Sequence, residues 1–428
     1  MSTHQLMPKT KPKYKYPALK QLGPGLITGA ADDDPSGIAT YSQAGAQFGF
    51  NLLWTVVLTF PLMVGIQTVS ARIGRVTGEG LVANMRKVFP RWLCLGIVLL
   101  LLIANTINIA ADIAAMGEAL QLVVGGGEHG HAIVFGLTSL ILQVFIPYQK
   151  YVKVLKWLTL SLLAYVAVVL MIKINWGDVL IHTLLPHITI SAEYATIVVA
   201  LFGTTISPYL FFWQASQEVE EMRNNQQASP LLHSPKNAYI QLRRIKIDTY
   251  IGMGFSNLVA FFIMLSTAAT LHVAGITNIA TSAQAAEALR PIAGNITFFI
   301  FSLGIIGTGM LAVPVLAGSA AYAMAEWFDW PEGLDKKLAE AKPFYLIITL
   351  ATIAGLCLDF TSIDPIKALF WSAVINGVIA VPIMTIMMIM AVRPDIMGDF
   401  IIKKNLRWLG WLATTLMLAT VIIMIVFW

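Results

Sequence analysis

Charge is what this 428-residue sequence has least of: Asp, Glu, Lys and Arg make up 12% of it, about half the share found in an ordinary soluble domain. With 57% hydrophobic residues besides, a large water-soluble helical protein is excluded as the main reading. Cysteine is nearly absent too. Cys94 and Cys357 lie in separate apolar runs, which leaves neither a disulfide framework nor a CxxC metal or redox site, and both read as small core hydrophobes. No Gly-x-Ser-x-Gly elbow, Walker A loop or His-Glu-x-x-His segment occurs, so serine hydrolysis, nucleotide-driven pumping and zinc proteolysis lack support. An intramembrane aspartyl protease would need a Gly-x-Gly-Asp segment, and that is missing as well; the chain does not read as an enzyme. Residues 1–20 lack the apolar core and small-residue cleavage site of a signal peptide. They are expected to remain attached as a basic, mobile tail.

What fills the sequence is apolar. Its mean hydropathy is +0.73, and runs of about 20 residues recur, the length a helix needs to cross a hydrocarbon core of about 30 Å. Spans are expected near 25–48, 52–71, 93–122, 131–147, 154–174, 194–213, 250–273, 296–324, 344–358, 368–390 and 406–426. An odd number of spans puts the two termini on opposite sides. If alternate loops face the cytoplasm, beginning with the N-terminal tail, all 28 Lys and Arg except Lys173, Arg290 and Lys367 fall on the cytoplasmic side. The positive-inside rule reads such a bias as orientation: N-terminus cytoplasmic, C-terminus external. One missed or invented span would scramble the alternation, so the charge bias also supports the number of spans.

Two spans are interrupted at their centres. The first holds Gly29-Ala30-Ala31-Asp32-Asp33-Asp34-Pro35-Ser36-Gly37, a run no continuous lipid-facing helix would contain. Each ionised Asp at a helix centre costs about 2.5 to 3.5 kcal/mol on insertion scales, so three together require a partner, a proton or a watery cavity. The sixth repeats the device in Gly203-Thr204-Thr205-Ile206-Ser207-Pro208-Tyr209. Proline removes a backbone donor and frees the carbonyls before it, which is tolerable at membrane depth only where they line a cavity or are buried in protein. Because five spans separate the starts of the two interrupted ones, spans one to five and six to ten can form repeats of opposite topology. The expected organisation is a tail at 1–20, a first repeat at 21–175, a second at 190–391 and an accessory eleventh helix at 405–428.

A half-helix that stops at mid-membrane ends in unpaired carbonyls carrying partial negative charge. With the carboxylates of Asp32, Asp33 and Asp34 between two such ends, the expected guest is a cation. Three Asp there would repel the carboxylate of an amino-acid substrate. A structural kink with the acids paired to buried bases is the blander alternative, and Arg72, Lys156 and Lys173 all lie near span ends rather than at mid-depth.

The stretch 23–50, with Asp34-Pro35 followed by Gln43-Ala44-Gly45-Ala46-Gln47-Phe48-Gly49, resembles the NRAMP divalent-metal transporters, whose first span carries Asp-Pro-Gly-Asn. Residues 203–209 are similar to that family's sixth-span motif ending Met-Pro-His, and Ala110-Ala111-Asp112-Ile113-Ala114 to its third-span Ala-Thr-Asp-Leu-Ala. The resemblance implies an all-α, LeuT-like five-plus-five inverted repeat with helices 1 and 6 broken. It also implies that Asp34 is the main carboxylate ligand, with the Ala31 and Thr204 carbonyls at the metal site, in a bacterial plasma membrane. The family's Asn falls on Gly37, its metal-binding Met on Ser207 and its sixth-span His on Tyr209, a pattern that resembles the NRAMP-related magnesium-transporter branch.

Read without the family, these residues point the same way. A thioether suits soft or borderline metals, whereas carboxylate, carbonyl, hydroxyl and water oxygens suit magnesium, calcium and manganese. Magnesium sheds water reluctantly and is bound through one or two carboxylates with several waters retained. Gly37 and Ser207 leave room for that shell while Asp32 and Asp33 add charge, so the expectation is import of a partly hydrated magnesium ion by alternating access, with manganese second. Ser207 also reads as a small residue at a helix crossing. The alternatives are a proton-coupled manganese or iron transporter of the main NRAMP type, and a passive cation channel. Tyr209 has a reference pKa near 10 where a histidine has about 6.5, and by resemblance Ala115 stands where the family has a second third-span acid, so little proton coupling is expected.

Other polar residues are secondary candidates. Asp112 lies inside the third apolar run and either supports the break or relays a proton. Glu118 stands at the outer end of that run, and Asn376 and Thr205 either contact waters around the ion or bond neighbouring helices. Glu218, Glu220 and Glu221 read as a solvated helix end, and Glu128, His129 and His131 as an external loop. The expected partners are the divalent cation, which is cargo rather than cofactor, and the lipid bilayer. Nucleic acid is not expected, and the sequence carries no sign of oligomeric state.

Overall fold

The apolar runs fold as helices, the arrangement that satisfies every backbone polar group where lipid offers none. The computed structural model describes residues 23–148, 150, 155, 157–189, 191–224, 228–360 and 364–427, and no β-strand occurs among them. The expected tail at 1–20 and positions 154 and 156 at the start of the fifth span lie outside the described residues. The long helices are α1 (Pro24–Asp32), α2 (Pro35–Phe48), α3 (Leu53–Thr77), α4 (Arg91–Val124), α5 (Glu128–Phe145), α6 (Leu163–Met171), α7 (Ala192–Thr205), α8 (Pro208–Arg223), α9 (Ala238–Thr267), α10 (Thr297–Phe328), α11 (Lys342–Asp359), α12 (Pro365–Met390) and α13 (Lys404–Phe427). Each expected span overlaps one of these or a broken pair, α1–α2 or α7–α8, the fifth (154–174) only in part, through α6. By length and composition, 8 helical stretches among the described residues can cross a membrane.

Both breaks are made by the same two-residue hinge. A proline disfavours helical geometry in the residue before it, and Asp34 (φ −67°, ψ 170°) and Ser207 (φ −75°, ψ 129°) are accordingly extended. The residues before these, Asp33 and Ile206, have ψ of 48° and 56°. Pro35 and Pro208 then stand at the first position of the next half-helix, where a missing N–H leaves nothing unsatisfied. Pro61, Pro314 and Pro382 lie inside α3, α10 and α12, which continue through them. Proline alone therefore does not break a span here.

The broken pair α7–α8 is innermost: the apolar core of the stretch is 100% buried, against 33% for α13 at the periphery. Around it, α1 packs on α9, α7 on α12, α8 on α3, and α4 on α10, α11 and α12. Large apolar side chains point outward along α4 (Leu99, Ile103), α5 (Val134, Ile141), α11 (Leu346, Leu350) and α13 (Ile422, Ile425), as expected of a protein whose outer solvent is hydrocarbon.

Several expectations about the ends change. Helix α9 begins at Ala238 rather than near 250, so the basic residues Arg243, Arg244 and Lys246 ride on a helix. Glu128 to His131 form the first turn of α5, with His129 Nδ1 3.0 Å from Asp359 at the end of α11. Cys357 is exposed, not core. The expected solvated end at Glu218 and Glu220 is overturned: both are buried. Glu218 pairs with Arg244 and Glu220 accepts the Tyr322 hydroxyl proton, since acids at that depth require partners.

Candidate metal site

The hinge between α1 and α2 sends its three acids in two directions. Asp32 is the last residue of α1, Asp33 the hinge and Asp34 the N-cap of α2. Asp34 Oδ1 accepts from the backbone N–H of Gly37 at 2.7 Å and from the Ser36 hydroxyl at 2.9 Å, so capping fixes one oxygen. Its other oxygen, Oδ2, faces α4 and α8, where the Tyr209 hydroxyl lies at 3.1 Å and Asn108 Nδ2 at 3.3 Å. Ser372 on α12 donates to Asn108 Oδ1 at 2.8 Å, which leaves the amide's NH₂ turned toward Asp34. The Tyr209 hydroxyl also lies 3.2 Å from the Ala31 carbonyl oxygen. Having one proton for two acceptors, it marks the place where the α1 carbonyl and the Asp34 carboxylate converge.

Asp32 and Asp33 turn instead to α9, where the Ser256 hydroxyl serves Asp32 Oδ2 and, at 3.0 Å, Asp33 Oδ1. Asp32 Oδ1 is buried without a partner. At the second break, Ser207 Oγ donates back to the Gly203 and Thr204 carbonyls, each at 2.8 Å, and Thr205 Oγ1 donates to the Leu201 carbonyl at 2.8 Å. The two breaks adjoin: a Cβ at Gly37 would stand 3.1 Å from Thr204 Oγ1 and 3.4 Å from the Asp32 carbonyl. Asp34, Thr204, Ser207 and Tyr209 are all buried.

The remaining candidates fall into place around this centre. Asp112 is buried on α4, one turn beyond Asn108, with both carboxylate oxygens unpartnered and within electrostatic reach of Asp34. Asn376 is buried on α12, one turn beyond Ser372, its amide unpartnered as well. Glu118 is engaged elsewhere: it accepts from the Ser282 backbone N–H at 3.0 Å and from its hydroxyl at 2.7 Å, and so holds the short helix Ser282–Ala286 against the end of α4. The sequence reading missed Asn108, Ser256 and Ser372. Asn105, Asn108 and Asp112 recur at helical spacing on one face of α4, a buried polar stripe that would have flagged Asn108.

Chemically, the centre offers one oriented carboxylate oxygen, a half-helix carbonyl, a phenol and an amide, with further carbonyls across the gap. Among the described residues no group of three or more His, Cys, Asp or Glu is arranged to hold a metal. The centre suits a cation that keeps part of its water better than a permanently caged one. The family model described as natural resistance-associated macrophage protein-like matches residues 25–427. The chain belongs to the NRAMP family. Within it, the divalent metal cation transporter MntH of Clostridium acetobutylicum is 27% identical over 95% of this chain and 90% of its own length. The solved Eremococcus coleocola manganese transporter superposes with a TM-score of 0.77 at 16% identity, over 98% of this chain and 90% of that one. A sodium-coupled sialic acid symporter superposes at 0.56 with 10% identity, over 95% and 88%. These likenesses show the LeuT-like fold, and the NRAMP protein is an integral, multi-pass membrane protein.

Proposed function

We propose that this NRAMP protein is a secondary transporter that imports a divalent metal cation by alternating access, the metal being cargo and not a cofactor. The observation that carries this reading is the convergence of Asp34 Oδ2, the Ala31 carbonyl and Tyr209 at a helix break within 3.2 Å hydrogen bonds. Around that centre, Thr204, Ser207 and Gly37 line the metal's position, and Asp32, Asp112, Thr205, Tyr209 and Asn376 its surroundings; Asp33, expected among the ligands, bonds Ser256 and belongs with Asp32. Repeats at 21–175 and 190–391, with 405–428 accessory, an inside N-terminus and an outside C-terminus, fit the matched hinges and the charge bias.

Manganese is the metal better supported, because the relatives are named for divalent cations and, in the solved one, for manganese. This displaces magnesium from the first place it holds on sequence alone. Magnesium stands as the second reading on one observation: position 207 offers a hydroxyl and no sulfur, and a site made only of oxygens suits hard ions. Proton coupling, unexpected from sequence, draws support from Asp112, an acid with two unpartnered oxygens beside the site. Proteoliposome uptake of manganese with magnesium, calcium and cobalt in competition, with and without a pH gradient, separates these readings. Saturable manganese uptake that magnesium fails to inhibit supports the first; mutual inhibition supports the second. Unsaturable flux would replace the carrier with a channel.

A further inference from the structure

Helix α1 is the short half of the first span, and it lies between the Asp34 centre and the end of the bundle that carries the basic residues of α9. Its C-terminal end is the hinge; its N-terminal end is held by another helix. Gly23, at the N-cap, offers no side chain, and Pro24 has no N–H, so α1 makes no cap of its own. Asp248 on α9 supplies it. Asp248 Oδ1 accepts from the N–H of Gly23 at 3.0 Å and of Leu26 at 3.1 Å, and Oδ2 accepts from that of Gly25 at 2.7 Å. One turn earlier Arg244 pairs with Glu218 and Glu221 of α8, which ties the capping helix to the second broken span.

The surface beneath this cap is built to part. A Cβ on Gly29 would come within 2.2 Å of the Gly252 carbonyl oxygen, and one on Gly252 within 2.1 Å of that of Gly25. The two backbones therefore touch directly, with no side chain interlocked between them at these points. Between the Asp248 cap and the Ser256 bonds at the hinge end, such a contact is held by van der Waals packing and can separate without unthreading a side chain. A carrier must open its site to each side in turn, and α1 is the element whose free end depends on one carboxylate.

We propose that Asp248 is the latch of a cytoplasmic gate: its hold on the first turn of α1 keeps the site shut from inside, and the cation leaves when that hold breaks and α1 swings about Asp33. The inference rests on the transporter reading, and its test does not depend on the metal. In a Cys94→Ala, Cys357→Ala background, Thr28→Cys places a thiol on α1 at a position that is 0% exposed. Its reaction with a membrane-impermeant maleimide is followed from the cytoplasmic side of inside-out vesicles. Asp248→Ala should speed labelling about fivefold, the factor that loss of a helix cap of typical strength corresponds to, and Asp248→Asn, which keeps one acceptor, should fall between. Equal rates in parent and Asp248→Asn protein, with Asp248→Ala either equal or misfolded, would overturn the latch. That result leaves the metal reading standing, whereas manganese binding unaffected by Asp34→Asn, with the labelling response intact, would overturn the metal reading and leave the latch.

Discussion

The two breaks share a backbone hinge and differ in what caps it. At the first, Asp34 caps forward: its Oδ1 serves the N–H of Gly37 in the half-helix that follows, and the last carbonyls of α1 are left to the Tyr209 hydroxyl. At the second, Ser207 caps backward: its hydroxyl donates to the Gly203 and Thr204 carbonyls of the half-helix that precedes, and α8 receives no side-chain cap. A carboxylate can only accept and a hydroxyl can donate, so the residue before each proline decides which half-helix end stays available to a guest. The first break thus presents a charge and an open carbonyl, the second a partly covered carbonyl and no charge.

The comparison breaks most completely at Asp34. Asp34→Asn keeps a capping oxygen but loses the charge, and manganese uptake by proteoliposomes should fall more than about 100-fold, beyond the usual cost of altering groups around a metal. Near-normal uptake in a correctly folded protein would remove Asp34 from the site. Ser207→Met exchanges a hydroxyl that covers two carbonyls for a soft sulfur. Cadmium should then gain on magnesium by roughly tenfold in competition, or about 1.4 kcal/mol; a constant ratio would show that residue 207 points away from the ion. The smallest effect is expected at Ser372→Ala, which frees the Asn108 amide to rotate without touching Asp34. A loss of apparent metal affinity of about tenfold at most, with the thermal midpoint nearly unchanged, would mark Ser372 as an orienting residue, and an unaltered affinity would make its hydrogen bond merely structural.

Much of this was legible before the structure. The spans, the broken pair and Asp34 follow from apolar run length and from acids beside a proline, because insertion into lipid penalises every exception. The prolines alone were not a sufficient signal, as Pro61, Pro314 and Pro382 show; the difference lies in the polar residues that precede Pro35 and Pro208. Asp32, Asp33 and Asp34 read in sequence as one anionic cluster. Adjacency in the chain is not convergence in space, and a helix ending between them turns two toward Ser256 and one toward Asn108. Ser256 and Ser372 act only through partners far along the chain, which a single apolar run does not reveal, whereas Asn108 stands on a polar stripe that does. The buried acids Glu218 and Glu220 were misread for a related reason: proximity to Arg244 and Tyr322 is a product of packing.

A carbonyl oxygen is the same whatever amino acid carries it. At the Ala31 position, and at Thr204 across the gap, substitution of the side chain leaves the main-chain oxygen in place, so that part of the site is inherited with the hinge and lies beyond the reach of point mutation. In the proposed site, variation acts on the guest through the side chains set among those oxygens, Asp34, Asn108, Ser207 and Tyr209 among them. On that reading one scaffold is retuned from one cation to another in very few steps, while its carbonyl oxygens persist for as long as both hinges do.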